Sequence, residues 1–468
     1  MIQVMSFFPL TGMLVQEPRF TTDIQRSKRT AGFTFVETIV AIGVLGIFFA
    51  AIAFILQQVL QNIGESRVRT TALALAQQKM ELIRNLPYNS IGTIGGIPQG
   101  SISPTEEVTI NNQSFTVTTS IIYIDDPFDE EVPADLINTD YKRARIQVTW
   151  SGAYPSLTPV TFVTNIVPKG VETIVGGGTL YIRVFDSNGQ AVSGASVKVD
   201  NTTIDPQIHM DTLTNSNGLV VLPGAPACVT CYQITVTKQN YSTDKTYSTS
   251  EVDNPTQPLA TIIEGSLTQL SFAIDLVSNV TIYSYGSREA GFPPIAAVDF
   301  TLRGSKTIGY NTTDDPVYKY AFSTNTGGGV VNIPSLEWDT YTLDFTNSGH
   351  VLTGANPMSP FSLSAATSLT ILMSAVPKGN TSLLVGVKDA AQQPQATASI
   401  QLSNSTFTYI ATKSAGATGS ADFGQAFFGN LTSTSYDIKV TLSGYQEATS
   451  SVTITTNQQE IMTLNLAP

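Results

Sequence analysis

An apolar run of 23 residues, from Thr38 to Leu60, contains no charged side chain. As an α-helix it spans about 35 Å, which exceeds the ~30 Å hydrocarbon thickness of a bilayer. Basic residues stand just before the run, and they predict that the preceding segment stays in the cytoplasm while the rest of the chain is exported. The pattern therefore predicts one membrane-spanning helix, N-in and C-out. The basic residues are Arg26, Lys28 and Arg29.

The helical pattern continues beyond the apolar run, from Gln61 to Leu86. Apolar residues recur there at spacings of three and four, as in a helix with one buried face. Pro87 disfavours further helix. The sequence thus predicts one helix over 33–86, half of it in a membrane and half of it amphipathic. The apolar positions of the second half are Val68, Ala72, Leu75, Ala76, Met80 and Ile83.

Strand patterns replace the helical pattern in the next part of the chain. Polar and apolar residues alternate in three segments between Ser101 and Lys169, which predicts a small antiparallel sheet with one buried face. We interpret 87–170 as a β-rich head that covers the amphipathic half of the helix. The rest of the chain has room for three β-sandwich modules of roughly 100 residues each.

Two segments of the C-terminal part repeat one another. Asp186–Tyr241 and Asp389–Tyr445 share the same order of strand and turn patterns, and the tetrapeptide Val-Pro-Lys-Gly precedes them at 167–170 and 376–379. A divergent copy lies between them, with His350 in place of the final Tyr. This order of strands resembles the carboxypeptidase-regulatory-like (transthyretin-like) β-sandwich. The predicted repeats are 171–262, 263–378 and 379–468.

The residues around the start of the apolar run match a processing motif. Gly32 is followed by Phe33, and Glu37 is a single carboxylate at the start of the run. This order resembles the class III leader of type IV prepilins and pseudopilins, over about a tenth of the chain. The resemblance implies that a membrane peptidase removes 1–32 by cutting after Gly32. It also implies that the new terminal Phe33 is N-methylated and that Glu37 directs assembly.

Two other interpretations explain the apolar run. A secretory signal peptide has an apolar region of about 7–15 residues followed by a cleavage site of small residues. The run here is longer, and no such site follows it. A plain membrane anchor explains the length but gives no use to Glu37, whose charge costs roughly 2.5 kcal/mol or more inside a bilayer.

Composition and charge exclude several classes of function. The formal net charge of −12 argues against a nucleic-acid-binding surface, which needs a basic stripe. Two cysteines, two histidines and the lack of any catalytic motif lead us to expect no enzyme activity, no cofactor and no metal site. The acidic segment 125–140 does not have the spacing of an EF-hand. We prefer a solvated loop there, and calcium binding stays the alternative.

Two smaller features have a structural and a functional interpretation. Cys228 and Cys231 precede a strand pattern, which favours a local disulfide over a redox pair, with free thiols as the alternative. Four aromatic residues are candidates for stacking on a sugar, although aromatic residues in strands more often belong to the core. They are Tyr283, Tyr285, Trp338 and Phe407.

Together these patterns predict an α+β protein: a long transmembrane and amphipathic helix, a small antiparallel β pilin head, and tandem Ig-like sandwiches. The predicted function is that of a minor pilin or pseudopilin-like subunit of a type IV pilus or type II secretion-like filament, with the sandwiches displayed for surface interaction or adhesion. Expected partners are a prepilin peptidase, other pilin subunits, the membrane and a surface ligand. The expected location is the cytoplasmic membrane before assembly and the cell surface or an extracellular filament afterwards. A membrane-anchored adhesin that never polymerises is the alternative.

Overall fold

The computed structural model divides the chain into two compact units, one ending at Arg67 and one beginning at Val68. The predicted cleavage site, Gly32 and Phe33, lies outside the described residues, and so does most of the acidic segment, 126–138. The described residues are 34–125, 139–152, 155, 158–168 and 176–468.

One α-helix, α1, runs from Phe35 to Arg84 and contains 50 residues, so it is about 75 Å long. It ends before Pro87, as expected from a residue that lacks a backbone N–H and crowds the preceding turn. A short 3₁₀ turn at Tyr88–Ser90 follows. The predicted α+β class is confirmed, because every other regular element in the described residues is a strand or a second 3₁₀ turn at Arg288–Ala290.

The head is a four-stranded antiparallel sheet in the order β1-β2-β3-β4. The first predicted strand segment is in fact a hairpin, because Asn111 and Asn112 both adopt positive φ and turn the chain. Asparagine tolerates that conformation better than most residues, so the Asn-Asn pair in the sequence indicates a hairpin turn at this point. The strands are β1 (Thr105–Ile110), β2 (Gln113–Ile124), β3 (Tyr141–Trp150) and β4 (Val160–Ile166).

The C-terminal half of α1 packs on this sheet. Its buried face consists of the predicted apolar positions from Ala72 to Ile83, so that prediction is confirmed. Lys79 forms an ion pair with Glu106 on β1, and Arg84 Nη2 donates to Thr164 Oγ1 on β4 at 3.0 Å. Sheet residues of the shared core include Phe115, Val117, Ile121, Ala144, Ile146 and Val148.

The first sandwich is built from two sheets that enclose one apolar core. One sheet has the order β13-β5-β8, and the other has the order β10-β9-β6-β7 with β12 paired to β9. Its strands are β5 (Gly178–Phe185), β6 (Ser196–Asn201), β7 (Ile208–Leu213), β8 (Leu219–Ala225), β9 (Cys228–Thr237), β10 (Asp244–Lys245), β11 (Asn254–Pro255), β12 (Ala260–Ile262) and β13 (Leu267–Ala273).

The second sandwich has sheets in the orders β19-β14-β23-β21 and β18-β15-β20-β22. A third small sheet, β11-β16-β17, includes a strand of the first sandwich and so joins the two modules. The strands are β14 (Ser278–Tyr285), β15 (Asp299–Gly304), β16 (Thr307–Tyr310), β17 (Pro316–Tyr318), β18 (Ala321–Asn325), β19 (Val330–Leu336), β20 (Asp339–Asp344), β21 (His350–Asn356), β22 (Phe361–Leu363) and β23 (Ser368–Pro377).

The third sandwich has sheets in the orders β27-β24-β30 and β26-β25-β28-β29. Most of its apolar residues form a core of their own, while Leu384 on β24 and Phe427 on β27 pack into the core of the second sandwich. The strands are β24 (Ser382–Asp389), β25 (Ser399–Asn404), β26 (Tyr409–Ser414), β27 (Gln425–Phe428), β28 (Ser435–Thr441), β29 (Ala448–Thr453) and β30 (Asn457–Leu464).

The three sandwiches share one unusual pairing. In each module the first strand pairs in parallel with the last, as β5 with β13, β14 with β23, and β24 with β30. Strand β13 lies after residue 262, where the sequence-based division ends the first repeat, yet it pairs with β5 of that repeat. The first module therefore extends to about Ala273.

Candidate functional site

The start of α1 contains the one predicted assembly residue that the structure describes. Glu37 is the third helical residue, and its backbone N–H lies 3.3 Å from Thr34 Oγ1, which caps the helix. Thr34 followed three residues later by Glu37 is a capping-box pattern, and the carboxylate also lies at the favourable end of the helix dipole. Glu37 thus has a local role that the sequence reasoning missed. A plain membrane anchor does give it a use.

The first half of α1 exposes its apolar side chains on all sides. Large apolar residues from Phe35 to Ile63 are between 45% and 81% exposed. The helix is long and apolar enough to cross a membrane by its length and composition. An apolar surface of this extent is unfavourable in water, so this segment needs a bilayer or other apolar helices around it.

The turn that follows α1 contacts a buried lysine on strand β3 of the head. Lys142 is 1% exposed, and its Nζ donates to the carbonyl oxygens of Tyr88 and Ile91 at 2.8 and 2.7 Å. Burial lowers the pKa of Lys142 from 10.5 to about 8. Burial, with Tyr123 and Asp140 nearby, raises the pKa of Tyr88 to about 12. Lys142 thus fastens the turn after α1 to strand β3.

These two shifts predict a pH dependence of stability. The folded chain holds Lys142 at a lower pKa than the unfolded chain, so it binds fewer protons above pH 8 and its free energy of unfolding rises with pH. The raised pKa of Tyr88 opposes this rise above pH 10. We expect a gain of about 2 kcal/mol between pH 8 and 10 in urea unfolding curves. Lys142→Met should abolish this gain; an equal gain in that variant would contradict the assignment.

The structure brings Cys228 and Cys231 together at the start of β9. Their Cα atoms are 6.1 Å apart, a separation that suits a disulfide. Asn201 Nδ2 donates to Cys231 Sγ at 3.2 Å, so the pair lies against β6. Its oxidation in the exported protein stays a prediction. Mass spectrometry after alkylation without reductant should find neither thiol modified, and recovery of both as alkylated thiols would contradict it.

The joint between the first and second sandwiches is charged and half-buried. Lys319 Nζ lies 2.9 Å from Glu337 Oε2 in its own module and 3.4 Å from Asp244 Oδ1 in the first sandwich. Although burial lowers the pKa of Lys319, the charges of Asp244 and Glu337 raise it above its usual value. The ion pairs thus reinforce the backbone pairing of β11 with β16.

The joint between the second and third sandwiches is centred on one arginine. Arg288 Nε donates to Asp422 Oδ2 at 2.5 Å, and its Nη1 and Nη2 donate to the carbonyl oxygens of Ser414 and Gln425 at 2.6 and 2.8 Å. Gln425 of the third module is fully buried. Its side-chain oxygen accepts from the N–H of Ala355 in the second module, and its side-chain nitrogen donates to the carbonyl oxygen of Ala355. Each module therefore contributes one side chain, Arg288 or Gln425, whose hydrogen bonds are made to the other module.

The four aromatic candidates differ in how accessible they are. Tyr283 and Phe407 are 39% and 43% exposed. Tyr285 and Trp338 are half-buried, and Lys306 Nζ lies 3.4 Å from the centre of the Trp338 ring, so one face of that ring is covered. Tyr283 and Tyr285 lie on β14, whereas Trp338 follows β19 and Phe407 belongs to the third module, so the four do not form one aromatic platform. A sugar site built on them is not supported.

Potential metal ligands are scattered in the described part of the chain. No group of three or more His, Cys, Asp or Glu residues there could hold a metal ion. The acidic segment for which calcium was the alternative lies outside that part, except for its ends.

No protein-family model matches the chain, and no curated protein matches it. Similar solved structures include the TIE protein of Bacillus anthracis, at 15% identity over 77% of this chain and 72% of that chain, with a TM-score of 0.18. The minor pilin of Streptococcus agalactiae is similar at 14% identity over 43% of this chain and 98% of that chain, with a TM-score of 0.20.

A streptococcal ancillary pilin is also similar, at 12% identity over 58% of this chain and 81% of that chain, with a TM-score of 0.21. Two of these three proteins are pilins of Gram-positive bacteria, and none of the three is described as a type IV pilin. TM-scores below 0.5 do not establish a common arrangement of the whole chain, so the function has to be argued from this chain's own residues.

Proposed function

We propose that this chain is a minor pilin or pseudopilin-like subunit of a type IV pilus or a type II secretion-like filament. The observation that carries the proposal is helix α1, whose first half is apolar on every side and whose second half packs on an antiparallel sheet. In a filament the first half lies among the same helices of neighbouring subunits, which cover its apolar surface. The second half holds the head at the filament surface.

The sequence before α1 supports a processing step. Gly32 and Phe33 stand directly before Thr34, the capping residue, and Glu37 follows at the spacing of the class III leader. A prepilin peptidase would cut after Gly32 and methylate Phe33. The processed chain would then reside in the cytoplasmic membrane, with its C-terminal modules outside, before it assembles with other subunits.

The three sandwiches support a sparse or terminal position in the filament. Appended modules of this size would have to be accommodated at every step if the chain were the major subunit. The joints at Lys319 and Arg288 hold neighbouring modules together, which suits display at a distance from the membrane. We propose a structural and adhesive role without catalysis.

A membrane-anchored adhesin that does not polymerise is the second candidate. The position of Glu37 in the first turn of α1 favours it, because the helix dipole stabilises a carboxylate there without any neighbouring subunit. Cell fractionation separates the two candidates. We expect the chain in sheared filaments together with other pilin subunits, whereas recovery only in membranes would support the static anchor.

A further inference from the structure

A cleft of about 1190 Å³ lies between the outer face of the head sheet and the first sandwich. This volume is above the ~300–1,000 Å³ that is usual for small-molecule sites, so a ligand of several linked rings fits. Polar side chains line both walls. They include Ser120, Gln147 and Asn165 from the head and Ser196, Asp211 and Asn217 from the sandwich.

The head wall carries two arginines. Alternation along β3 turns Lys142 inward and places Arg143 and Arg145 side by side on the outer face. Arg143 sits in a row between Ile122 on β2 and Asn165 on β4. Ile122 packs against the core of the first sandwich, so the two walls are in contact beside this row.

Both arginines are oriented by neutral groups. Arg143 donates from Nε to Asn165 Oδ1 at 2.9 Å and from Nη2 to the Tyr141 hydroxyl at 3.2 Å. Arg145 Nη2 donates to Gln147 Oε1 at 3.4 Å. The ion pairs found in the described part of the chain involve neither arginine. Two guanidinium groups therefore face the cleft, and neither has a carboxylate partner among the residues that the structure describes.

Tyrosine and aspartate side chains from both walls also face the cleft. Tyr181, half-buried on β5, belongs to the sandwich wall, and Tyr141 belongs to the head wall. The flat face of a tyrosine can stack on the apolar face of a sugar ring while its hydroxyl bonds polar groups. Asp211 Oδ1 accepts a hydrogen bond from Ser196 Oγ at 2.6 Å, and Asp125 also lines the cleft.

We propose that this cleft binds an acidic oligosaccharide. Arg143 and Arg145 take the carboxylates of the glycan through charge-assisted, bidentate hydrogen bonds. Asp211 accepts hydrogen bonds from its hydroxyl groups, the side-chain amides of Gln147 and Asn165 donate to them, and Tyr141 and Tyr181 stack on its rings. The inference rests on the proposed adhesive function and gives the unidentified surface ligand a chemical class and a place.

The test uses the full-length chain in nanodiscs and two probes, tetragalacturonate and the neutral cellotetraose, in titration calorimetry. We expect tetragalacturonate to bind and cellotetraose to bind more weakly. The double variant Arg143→Gln/Arg145→Gln should weaken binding at least about tenfold, because each arginine loses a charged hydrogen bond. Tyr181→Ala should weaken it as well.

Arg183→Gln is the matched control, because Arg183 is exposed on the same strand as Tyr181 but does not line the cleft. It should bind like the wild type. Absence of binding by tetragalacturonate, equal binding of both probes, or unchanged binding by the double variant would each overturn the proposal. The titration needs neither cleavage nor filaments, so a failure here and a failure of the pilin proposal are distinguishable.

Discussion

Glu37→Leu is expected to remove the chain from filaments while leaving it in the membrane. In a packed filament the first half of α1 is away from water, and a carboxylate there needs an opposite charge nearby. Loss of one partner from such a buried pair costs about 3–5 kcal/mol, which corresponds to a change of roughly 100-fold or more in an equilibrium constant. Cleavage after Gly32 creates the partner, the amine of Phe33, which a neighbouring subunit can supply during assembly.

The measurement is the ratio of the chain in sheared filaments to the chain in membranes. Glu37→Ala should behave like Glu37→Leu, and Glu37→Asp should lie between them and the wild type because the charge remains but its reach is shorter. Thr34→Ala is the matched control, since it removes the capping hydroxyl but keeps the carboxylate, at about 1 kcal/mol of helix stability. It should stay near the wild-type ratio. An unchanged ratio for Glu37→Leu would mean that the carboxylate acts only on its own helix and does not direct assembly.

Arg288→Ala is expected to loosen the joint between the second and third sandwiches. Asp422 is only 6% exposed at its side chain, and the variant leaves that charge without its ion-pair partner. Two carbonyl oxygens, of Ser414 and Gln425, lose their donor as well. Since Arg288 itself is 34% exposed, we expect about 3 kcal/mol, the lower end of the range for a broken buried pair.

Urea unfolding of the full-length chain, with hydrogen exchange at Gln425 and Ala355, measures this effect. Arg288→Lys should be intermediate, because an ammonium group keeps the charge but cannot reach three separated acceptors in one plane. Lys413→Ala breaks the neighbouring ion pair with Glu289, whose carboxylate side chain is 65% exposed, and should cost less than about 1 kcal/mol. Equal effects of Arg288→Ala and Lys413→Ala would show that the arginine does not hold the joint.

The helix and its buried face could be predicted because their signal is local. Apolar residues from Ala72 to Ile83 recur at helical spacing, and that spacing alone decides which side of α1 meets the sheet. The alternation along β3 was equally readable, and it places Arg143 and Arg145 on the outer face. The capping pattern of Thr34 and Glu37 is local as well, but it uses the same residues as the leader motif, so the sequence alone does not separate the two roles.

The pairing of distant strands could not be predicted in the same way. A period of two says that β5 and β13 are strands, but it does not say that they pair in parallel across more than 80 residues of chain. The same limit applies to the joints. Arg288 meets acceptors 126 to 137 residues later in the sequence, and no local pattern marks them as partners. The cleft is likewise formed only when two modules meet.

The proposal that this chain is a processed filament subunit depends most directly on one covalent bond. Peptide mass spectrometry of membranes and filaments from the native host reads the N terminus of the mature chain. We predict that it begins at Phe33 and that the Phe33 amine carries a methyl group. An intact bond between Gly32 and Phe33 in that material would contradict the account and leave the chain as a membrane-anchored adhesin.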